Sequence, residues 1–295
     1  MSKARAAVPD TVSAAAAELL SATARRRLRS FLLAQQLADG GFRGRADASD
    51  LYYAWFGLAA LAAIGARWPR RRLLAYLDRH AADARLGFLD LVTISRCLAA
   101  LRPGDDRVPR LLTRLEAFRT ADGGYAVEPD ATAGSTYACY LAHLAYAEAA
   151  RPLPRPRGLA ACVRRLRTPD GAFANTRGQA AGTTTATAAA LLVPGACPPA
   201  TAAAAGRWLL ARHHRAGGFR ATPGTALPDL LSTAAALRAL AARRRNLAPI
   251  RAAGLDFVCA CWQPGGGFSA QPVDPTPDCE YTFYGLLALS ILSNT

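Results

Sequence analysis

The stretch GGFRGRADASDLYYAWFGLAAL, at residues 40–61, carries the pattern that decides the fold: two glycines and an aromatic residue, a polar loop, and a helix of small residues. The same order recurs at 123–144, 217–240 and 265–289, with a degenerate copy at 171–192 and the helix half alone at 85–101. One such unit cannot bury its own apolar face, so repetition predicts helical hairpins stacked on one another.

A second pattern sets the register of these units. Four of them carry an aspartate followed by leucines eight and eleven positions later, and these aspartates are Asp50, Asp90, Asp229 and Asp278. They lie 40, 139 and 49 residues apart, which leaves room for two further units between the second and the third. Each aspartate stands where a polar loop gives way to a helix, so we expect its carboxylate to cap the first turn.

Each unit is predicted to contain an amphipathic outer helix with arginines on one side and an inner helix that is apolar nearly all round. The outer helices are expected at 12–37, 69–83, 107–119, 156–167, 199–214 and 247–262. The inner helices are expected at 50–65, 90–102, 134–151, 182–193, 229–244 and 278–293. The predicted fold is all-α, an α6/α6 toroid of six inner and six outer helices.

A continuous repeat indicates one domain over 1–295, while the order of about residues 1–10 is left open. The repeat units lie near 12–65, 69–102, 107–151, 156–193, 199–244 and 247–293.

The composition narrows the class of partner. The formal charge is +15 and, apart from Lys3, the basic residues are arginines. Such a surplus could attract diphosphates, anionic lipid or nucleic acid, or it could reflect a GC-rich genome and solvated helix faces. No interleaved basic and aromatic surface is found, which argues against nucleic acid. Without a signal-peptide layout or a long apolar window, and with seven scattered cysteines, we expect a cytoplasmic protein.

The Gly-Gly-Phe-x-Gly-Arg loop at 40–45, followed by Asp-x-Tyr-Tyr at 50–53 and an alanine-leucine helix, resembles the repeat shared by protein prenyltransferase β subunits and the squalene and terpene cyclases. The resemblance covers about residues 30–295. It implies the α6/α6 toroid and an isoprenoid or other apolar polyene, including prenyl diphosphates, as the ligand of a central cavity.

The resemblance also bears on metal binding. In the zinc-dependent prenyltransferases the last two inner helices begin Asp-x-Cys and Asp-x-x-His, and these residues hold zinc. Here the matching positions hold Asp229 with Leu231, and Asp278 with Tyr281. A lone carboxylate cannot supply the four ligands that zinc requires, so we expect no metal and no other cofactor. Whether Cys279 or Glu280 restores a metal site is left open.

The cyclases carry an Asp-x-Asp-Asp run whose middle carboxylic acid protonates an alkene or an epoxide. The nearest patterns here are Asp278-Cys279-Glu280 and Asp47-Ala48-Ser49-Asp50. A carboxyl group buried among aromatic side chains has the raised pKa that a general acid needs. The candidate catalytic residues are Asp278, Glu280, Asp50 and Tyr281.

Substrate binding is assigned to the loop arginines and to the residues expected to face the cavity. By the resemblance, Arg43 and Arg45 match a loop arginine that lies near the diphosphate in prenyltransferases. The candidate substrate-binding residues are Arg45, Arg43, Tyr52, Tyr53, Phe56, Tyr137, Tyr140, Tyr284 and Asp229. Hydroxyl groups also stand three residues after each aspartate, at Tyr53, Thr93, Ser232 and Tyr281. They could form a ring that binds a polar head group, or they could bond the local backbone.

Three functions fit these observations to different degrees. The favoured one is a terpene cyclase-like or prenyltransferase-like enzyme that works without zinc. The alternative is a non-catalytic toroid that binds a lipid-like ligand or a partner protein. A glycosidase would need two opposed carboxylates about 5–10 Å apart, and the tryptophans typical of sugar sites are missing from the predicted inner helices except for Trp55. A partner subunit and contact with a membrane surface are left open.

Overall fold

The computed structural model describes residues 18–294, which contain twelve α-helices. The inner helices are α2 (Leu51–Ala63), α4 (Phe88–Leu101), α6 (Thr136–Glu148), α8 (Thr184–Leu192), α10 (Leu230–Ala242) and α12 (Cys279–Ser293). The outer helices are α1 (Ala22–Ala34), α3 (Arg70–Ala81), α5 (Arg107–Leu115), α7 (Pro156–Arg165), α9 (Pro199–Leu210) and α11 (Arg251–Ala260). Two 3₁₀ turns, Glu116–Phe118 and Ala248–Ile250, follow α5 and precede α11.

The inner helices form a closed ring. Each packs against the inner helix on either side, and α12 closes the ring against α2. Their first residues bond to the loop of the following unit, as Thr136 N–H does to the Asn175 carbonyl (2.9 Å) and Leu230 N–H does to the Ala270 carbonyl (2.9 Å). The six inner helices therefore run parallel with their amino ends at one rim, and the predicted α6/α6 toroid is confirmed.

The repeated glycine-aromatic loop locks each hairpin to the ring. Its aromatic residue is buried in five units, at Phe42, Tyr125, Phe173, Phe219 and Phe268. In three of them the backbone N–H of this residue donates to a threonine hydroxyl fourteen positions later, on the next inner helix: Phe173 to Thr187 (3.0 Å), Phe219 to Thr233 (2.8 Å) and Phe268 to Thr282 (3.1 Å). A buried amide is thereby satisfied, so these threonines are structural.

Glycine is required where this loop approaches its neighbours. Gly40 has φ +94°, and a Cβ there would lie 2.2 Å from the Arg72 carbonyl oxygen of α3. Gly57 on α2 faces the buried Phe42 ring, and a Cβ would lie 2.4 Å from two of its carbons. Glycine is therefore needed at position 40 for both turn geometry and close packing, and at position 57 for close packing alone.

The predicted caps form at three of the four aspartates. Asp50 accepts from Tyr52 N–H (2.9 Å), Asp229 from Ser232 N–H (2.7 Å) and Asp278 from Tyr281 N–H (2.7 Å). The prediction is wrong for Asp90, because α4 begins two residues earlier, at Phe88. Asp90 instead lies in the first turn and accepts from Gly87 N–H (3.1 Å). It still satisfies an amide at the helix start.

The observed helices are shorter than predicted at several ends: the third inner helix, expected at 134–151, spans Thr136–Glu148, and Ala149 and Ala150 form a turn after it. The predicted start of the first outer helix at residue 12, like residues 1–10, lies outside the described residues. Within 18–294, no helix has both the length and the apolar character needed to cross a bilayer.

Candidate active site

All six inner helices contribute to a central cavity. Its lining is aromatic on one side, where α2, α6 and α12 supply Tyr52, Trp55, Phe56, Tyr137, Tyr140, Phe283 and Tyr284. The side formed by α8 and α10 is lined by smaller residues, namely Thr185, Ala188, Ala189, Leu231 and Ala235. The cavity volume is about 120 Å³. This division agrees with the uneven distribution of bulky residues among the units of the sequence.

A carboxylic acid lies beside the aromatic side of the cavity. Tyr52 is among the residues that line the cavity, and its hydroxyl donates to Oε1 of Glu280 at 2.9 Å. A further hydrogen bond links the Tyr52 and Tyr137 hydroxyls. Burial, together with the charge of Asp278, raises the pKa of Glu280 above its ordinary value. Glu280 is thus connected to the cavity through two phenol groups and holds its proton more strongly than an exposed glutamate.

Asp278 and Tyr281 lie at the rim next to Arg45. Besides capping α12, Asp278 has its Oδ2 3.7 Å from Nε of Arg45, and burial raises the pKa of its carboxyl group. Arg45 donates to the Tyr281 hydroxyl (3.3 Å) and stacks over that ring. Tyr53 is a further hydrogen-bonding partner of Arg45. The structure therefore brings Arg45, Tyr53, Asp278 and Tyr281 together in one cluster, and the Arg45 side chain, 66% exposed, faces solvent there.

Three other predicted site residues lie elsewhere. Asp50 is exposed and serves as a helix cap. Arg43 pairs with Asp47 in its own loop (3.1 Å). Asp229 is fully engaged at the start of α10, where it accepts from Ser232 N–H and from the Ser232 hydroxyl, each at 2.7 Å. None of the three is among the residues that line the cavity.

The hydroxyl ring that the sequence allowed does not form among the described residues. Ser232 is buried and its hydroxyl bonds to Asp229, Thr93 lines the cavity, and Tyr53 and Tyr281 bond to Arg45 at the rim. The Ser232 hydroxyl bonds to the Asp229 side chain and not to the local backbone, so neither of the two expectations describes these hydroxyls as a set.

Sequence reasoning missed the charged side chains within the cavity. Arg96 of α4 forms a bidentate pair with Glu148 of α6 through two bonds of 2.7 Å, and its guanidinium lies 3.8 Å from the Trp55 ring centre. Arg238 of α10 donates to the Tyr140 hydroxyl across the ring. Both arginines line the cavity. The available signal was their position: they are the only arginines within the six inner helices.

The residues at the zinc-ligand positions of the resemblance do not fit that metal. Asp229 is held by Ser232, Leu231 offers no donor, and Tyr281 bonds to Arg45. Across residues 18–294, no three His, Cys, Asp or Glu side chains converge as a metal site would require. No step through zinc is derived for this site.

A closed ring of six helical hairpins around a central cavity defines an α-α toroid. The sequence matches the prenyltransferase alpha-alpha toroid domain over residues 10–99, 92–197, 120–219 and 249–295. Since these ranges cover most of the chain, the protein belongs to that family.

Solved structures share the fold at low sequence identity. A protein from Actinoplanes is 19% identical with a TM-score of 0.65, covering 93% of this chain and 99% of the other. The type II terpene cyclase MstE from Scytonema is 17% identical with a TM-score of 0.62, covering 96% and 98%. The protein geranylgeranyltransferase-I of Candida albicans, complexed with GGPP, is 14% identical with a TM-score of 0.64, covering 90% of each chain. No curated protein matches the sequence.

Proposed function

We propose that the protein is a terpene cyclase-like enzyme that protonates an alkene of an isoprenoid or other apolar polyene bound in the central cavity. The general class of the proposed substrate is supported by two structural neighbours, which are a terpene cyclase and a prenyltransferase. The observation that carries the proposal is the Glu280–Tyr52 hydrogen bond at the aromatic side of the cavity. It joins a carboxyl group whose pKa is raised to a side chain that lines the cavity.

The proton moves through this pair. In the structure the Tyr52 hydroxyl donates to Glu280; when Glu280 is protonated, this hydroxyl turns so that its proton points to the alkene and its oxygen accepts from Glu280. As an alkene carbon takes the proton of the Tyr52 hydroxyl, the Tyr52 oxygen takes the proton of Glu280, which leaves a carboxylate and a carbocation on the substrate. Aromatic faces stabilise such a cation, and Trp55, Phe56 and Tyr284 line the same cavity. Loss of a proton from the cyclised or isomerised product restores Glu280. No metal takes part in this scheme.

Asp278 and Arg45 have supporting roles in this scheme. Asp278 fixes the start of α12 and thereby the position of Glu280, and its own negative charge helps to keep Glu280 protonated. Arg45 balances Asp278 at the rim, where it also meets an anionic group of an entering substrate. Asp50 has no place in the scheme, because it is exposed at the start of α2.

The cavity must widen around a long substrate. Its volume of about 120 Å³ is below the roughly 300–1,000 Å³ of most small-molecule sites. The small residues of α8 and α10 offer the side on which an isoprenoid chain displaces the fewest atoms. Product shape is then set by the fixed aromatic side.

Mass spectrometry of reactions in deuterated water tests the proposal. The protein is incubated with C10 to C20 prenyl diphosphates, alcohols and acids, with and without EDTA. We expect products that carry one deuterium, no change with EDTA, and a loss of about 100- to 10,000-fold in turnover for Glu280→Gln. Asp50→Asn is the matched control, because it changes an exposed carboxylate on a neighbouring inner helix and should leave turnover within about twofold.

Unchanged turnover in Glu280→Gln would remove the assigned acid. Products that release diphosphate without incorporating deuterium would instead indicate ionisation or prenyl transfer.

A non-catalytic toroid that binds a lipid-like ligand is the second candidate. The observation that favours it is that three candidate acids serve as helix caps, namely Asp50, Asp229 and Asp278. Among the candidate acids this leaves Glu280, which accepts from Tyr52, to act as a proton donor. Saturable binding of the same probes with no product in any arm would select this candidate.

A further inference from the structure

Two buried cysteines contact each other at the loop of the third repeat unit. Cys139 of α6 stands fourteen positions after the loop aromatic residue Tyr125, at the place that holds a threonine in three other units. Its sulfur takes over the role of the threonine hydroxyl and accepts from the Tyr125 N–H at 3.3 Å. The cysteine therefore preserves the structural bond and adds a thiol to the interior.

Cys162 of α7 is a second departure from the repeat. In three units the second glycine of the loop faces an aromatic side chain of an outer helix: Gly41 faces Tyr76, Gly218 faces Phe257 and Gly267 faces Phe31. In the third unit, Gly124 faces Cys162 instead. Both departures lie at one loop, and they place a thiol on each side of the contact between α6 and α7.

The geometry brings the two sulfurs together. A Cβ at Gly124 would lie 2.4 Å from Sγ of Cys162 and 3.1 Å from Sγ of Cys139, so both sulfurs border the space that this glycine leaves free. The two thiols are hydrogen-bonded to each other, and both residues are buried. Such a side-by-side pair is the arrangement from which an S–S bond of about 2.05 Å forms.

We propose that Cys139 and Cys162 form a redox site that a peroxide converts reversibly into a disulfide joining α6 to α7. This inference is independent of the proposed function, because it involves neither the central cavity nor Glu280. Asp122 marks the route to solvent: its Oδ2 accepts from the Cys162 thiol at 3.4 Å and lies 3.3 Å from the exposed Arg177 side chain. Because an ion pair at the surface contributes little, Arg177 can move aside for a small uncharged oxidant.

The reaction balances with one peroxide molecule. Cys139 reacts first, because hydrogen bonds from the Cys162 thiol and from the Tyr125 N–H lower its pKa. Its thiolate attacks a peroxide oxygen, the O–O bond breaks, and the departing hydroxide takes the thiol proton, which yields a sulfenic acid and water. Cys162 then attacks the Cys139 sulfur: the S–S bond forms, the S–O bond breaks, and hydroxide leaves with the Cys162 proton as water. The two sulfurs together lose the two electrons that the peroxide gains.

Peptide mapping of the full-length protein after treatment with hydrogen peroxide tests the inference. Trypsin does not cut before proline, so it places Cys139 on residues 120–157 and Cys162 on residues 158–164, and neither peptide holds a second cysteine. We expect these two peptides to be linked at least about tenfold more often than any other pair, because their thiols are already in contact. Dithiothreitol should separate them again.

Single substitutions test the order of the steps. In Cys162→Ala the reaction should stop at the sulfenic acid of Cys139, which dimedone traps, whereas Cys139→Ala should leave Cys162 unlabelled. Cys97→Ala is the matched control, because Cys97 is equally buried on the neighbouring inner helix α4. It should leave the yield of the linked pair within about twofold.

Linked peptides that are no more frequent than other pairs, or that form only when peroxide is added in urea, overturn the inference. Dimedone on Cys162 in Cys139→Ala, with none on Cys139 in Cys162→Ala, overturns the assigned order. The mapping uses the unmodified protein, so a variant that fails to fold does not remove the test.

Discussion

Replacing Glu148 by alanine should destabilise the protein severely, because it removes the carboxylate that bonds to the buried Arg96 guanidinium through two hydrogen bonds. Arg96 and Glu148 are 8% and 1% exposed, and two bonds of 2.7 Å join them. Alanine removes both bonds and leaves the guanidinium over Trp55 without its carboxylate. Removing one partner of a buried pair costs about 3–5 kcal/mol, a large part of the roughly 5–15 kcal/mol that stabilises a typical domain.

Urea unfolding followed by circular dichroism measures this loss. At an m-value of about 3 kcal/mol/M, the predicted cost lowers the midpoint by roughly 1–1.7 M. The double variant Arg96→Leu/Glu148→Leu should regain most of the loss, since two apolar side chains of similar size need no solvation. Glu148→Gln should fall between the wild type and Glu148→Ala, because an amide oxygen still accepts from Arg96.

Two results would refute this reasoning. One is a loss below about 1 kcal/mol in Glu148→Ala, the value of an exposed pair, which would mean that water reaches the site. The other is a double variant whose loss of unfolding free energy equals the sum of the losses in Arg96→Leu and Glu148→Leu, since the two side chains would then be uncoupled.

Two further predictions concern Glu280 and the repeat loops. Turnover should fall as pH rises through the raised pKa of Glu280, since the proton donor is lost. The free energy of unfolding should also fall as pH rises above 4.5, because the unfolded chain releases this proton at a lower pH than the folded protein. Urea midpoints should lose this dependence on pH in Glu280→Gln, and turnover that rises with pH would contradict the assignment. Gly57→Ala should lower the free energy of unfolding by about 1–3 kcal/mol, because the new methyl group overpacks the Phe42 ring. Gly206→Ala in α9 should raise it by up to about 1 kcal/mol, because the new Cβ has no neighbour closer than 3.9 Å. Equal shifts of the melting temperature in the two variants would show that packing around the loop is loose.

The architecture was predictable because its determinants are local and repeated. A carboxylate at the start of a helix bonds to amides two or three residues away, so Asp50, Asp229 and Asp278 mark helix starts without any knowledge of the fold. The helix start predicted from Asp90 was wrong by two residues, because Gly87 takes the cap position and its N–H donates to the Asp90 carboxylate. Helix ends were less predictable, since no comparable side-chain signal stops α6 at Glu148.

The site was predictable only in part, because its contacts join residues far apart in sequence. The Asp278-Cys279-Glu280 pattern drew attention to Glu280, but its bond to Tyr52 spans 228 positions and follows only from closure of the ring. The pairing of Arg45 with Tyr281 is of the same kind. The resemblance matched both Arg43 and Arg45 to one loop arginine, and only the structure separates them, with Arg45 beside Asp278 and Tyr281 and Arg43 bonded to Asp47.

Charges on the inner helices are the signal that should have been used. Within these six helices the charged residues are Asp90, Arg96, Glu148, Arg238 and Glu280. A helix surrounded by others can hold a charge only if something compensates its desolvation, so each of the five demands an explanation. Asp90 accepts from Gly87 N–H at the start of its own helix, Arg96 and Glu148 bond to each other, and Glu280 accepts from Tyr52. Arg238 donates to the Tyr140 hydroxyl of α6, so this charge too is held by a contact between inner helices.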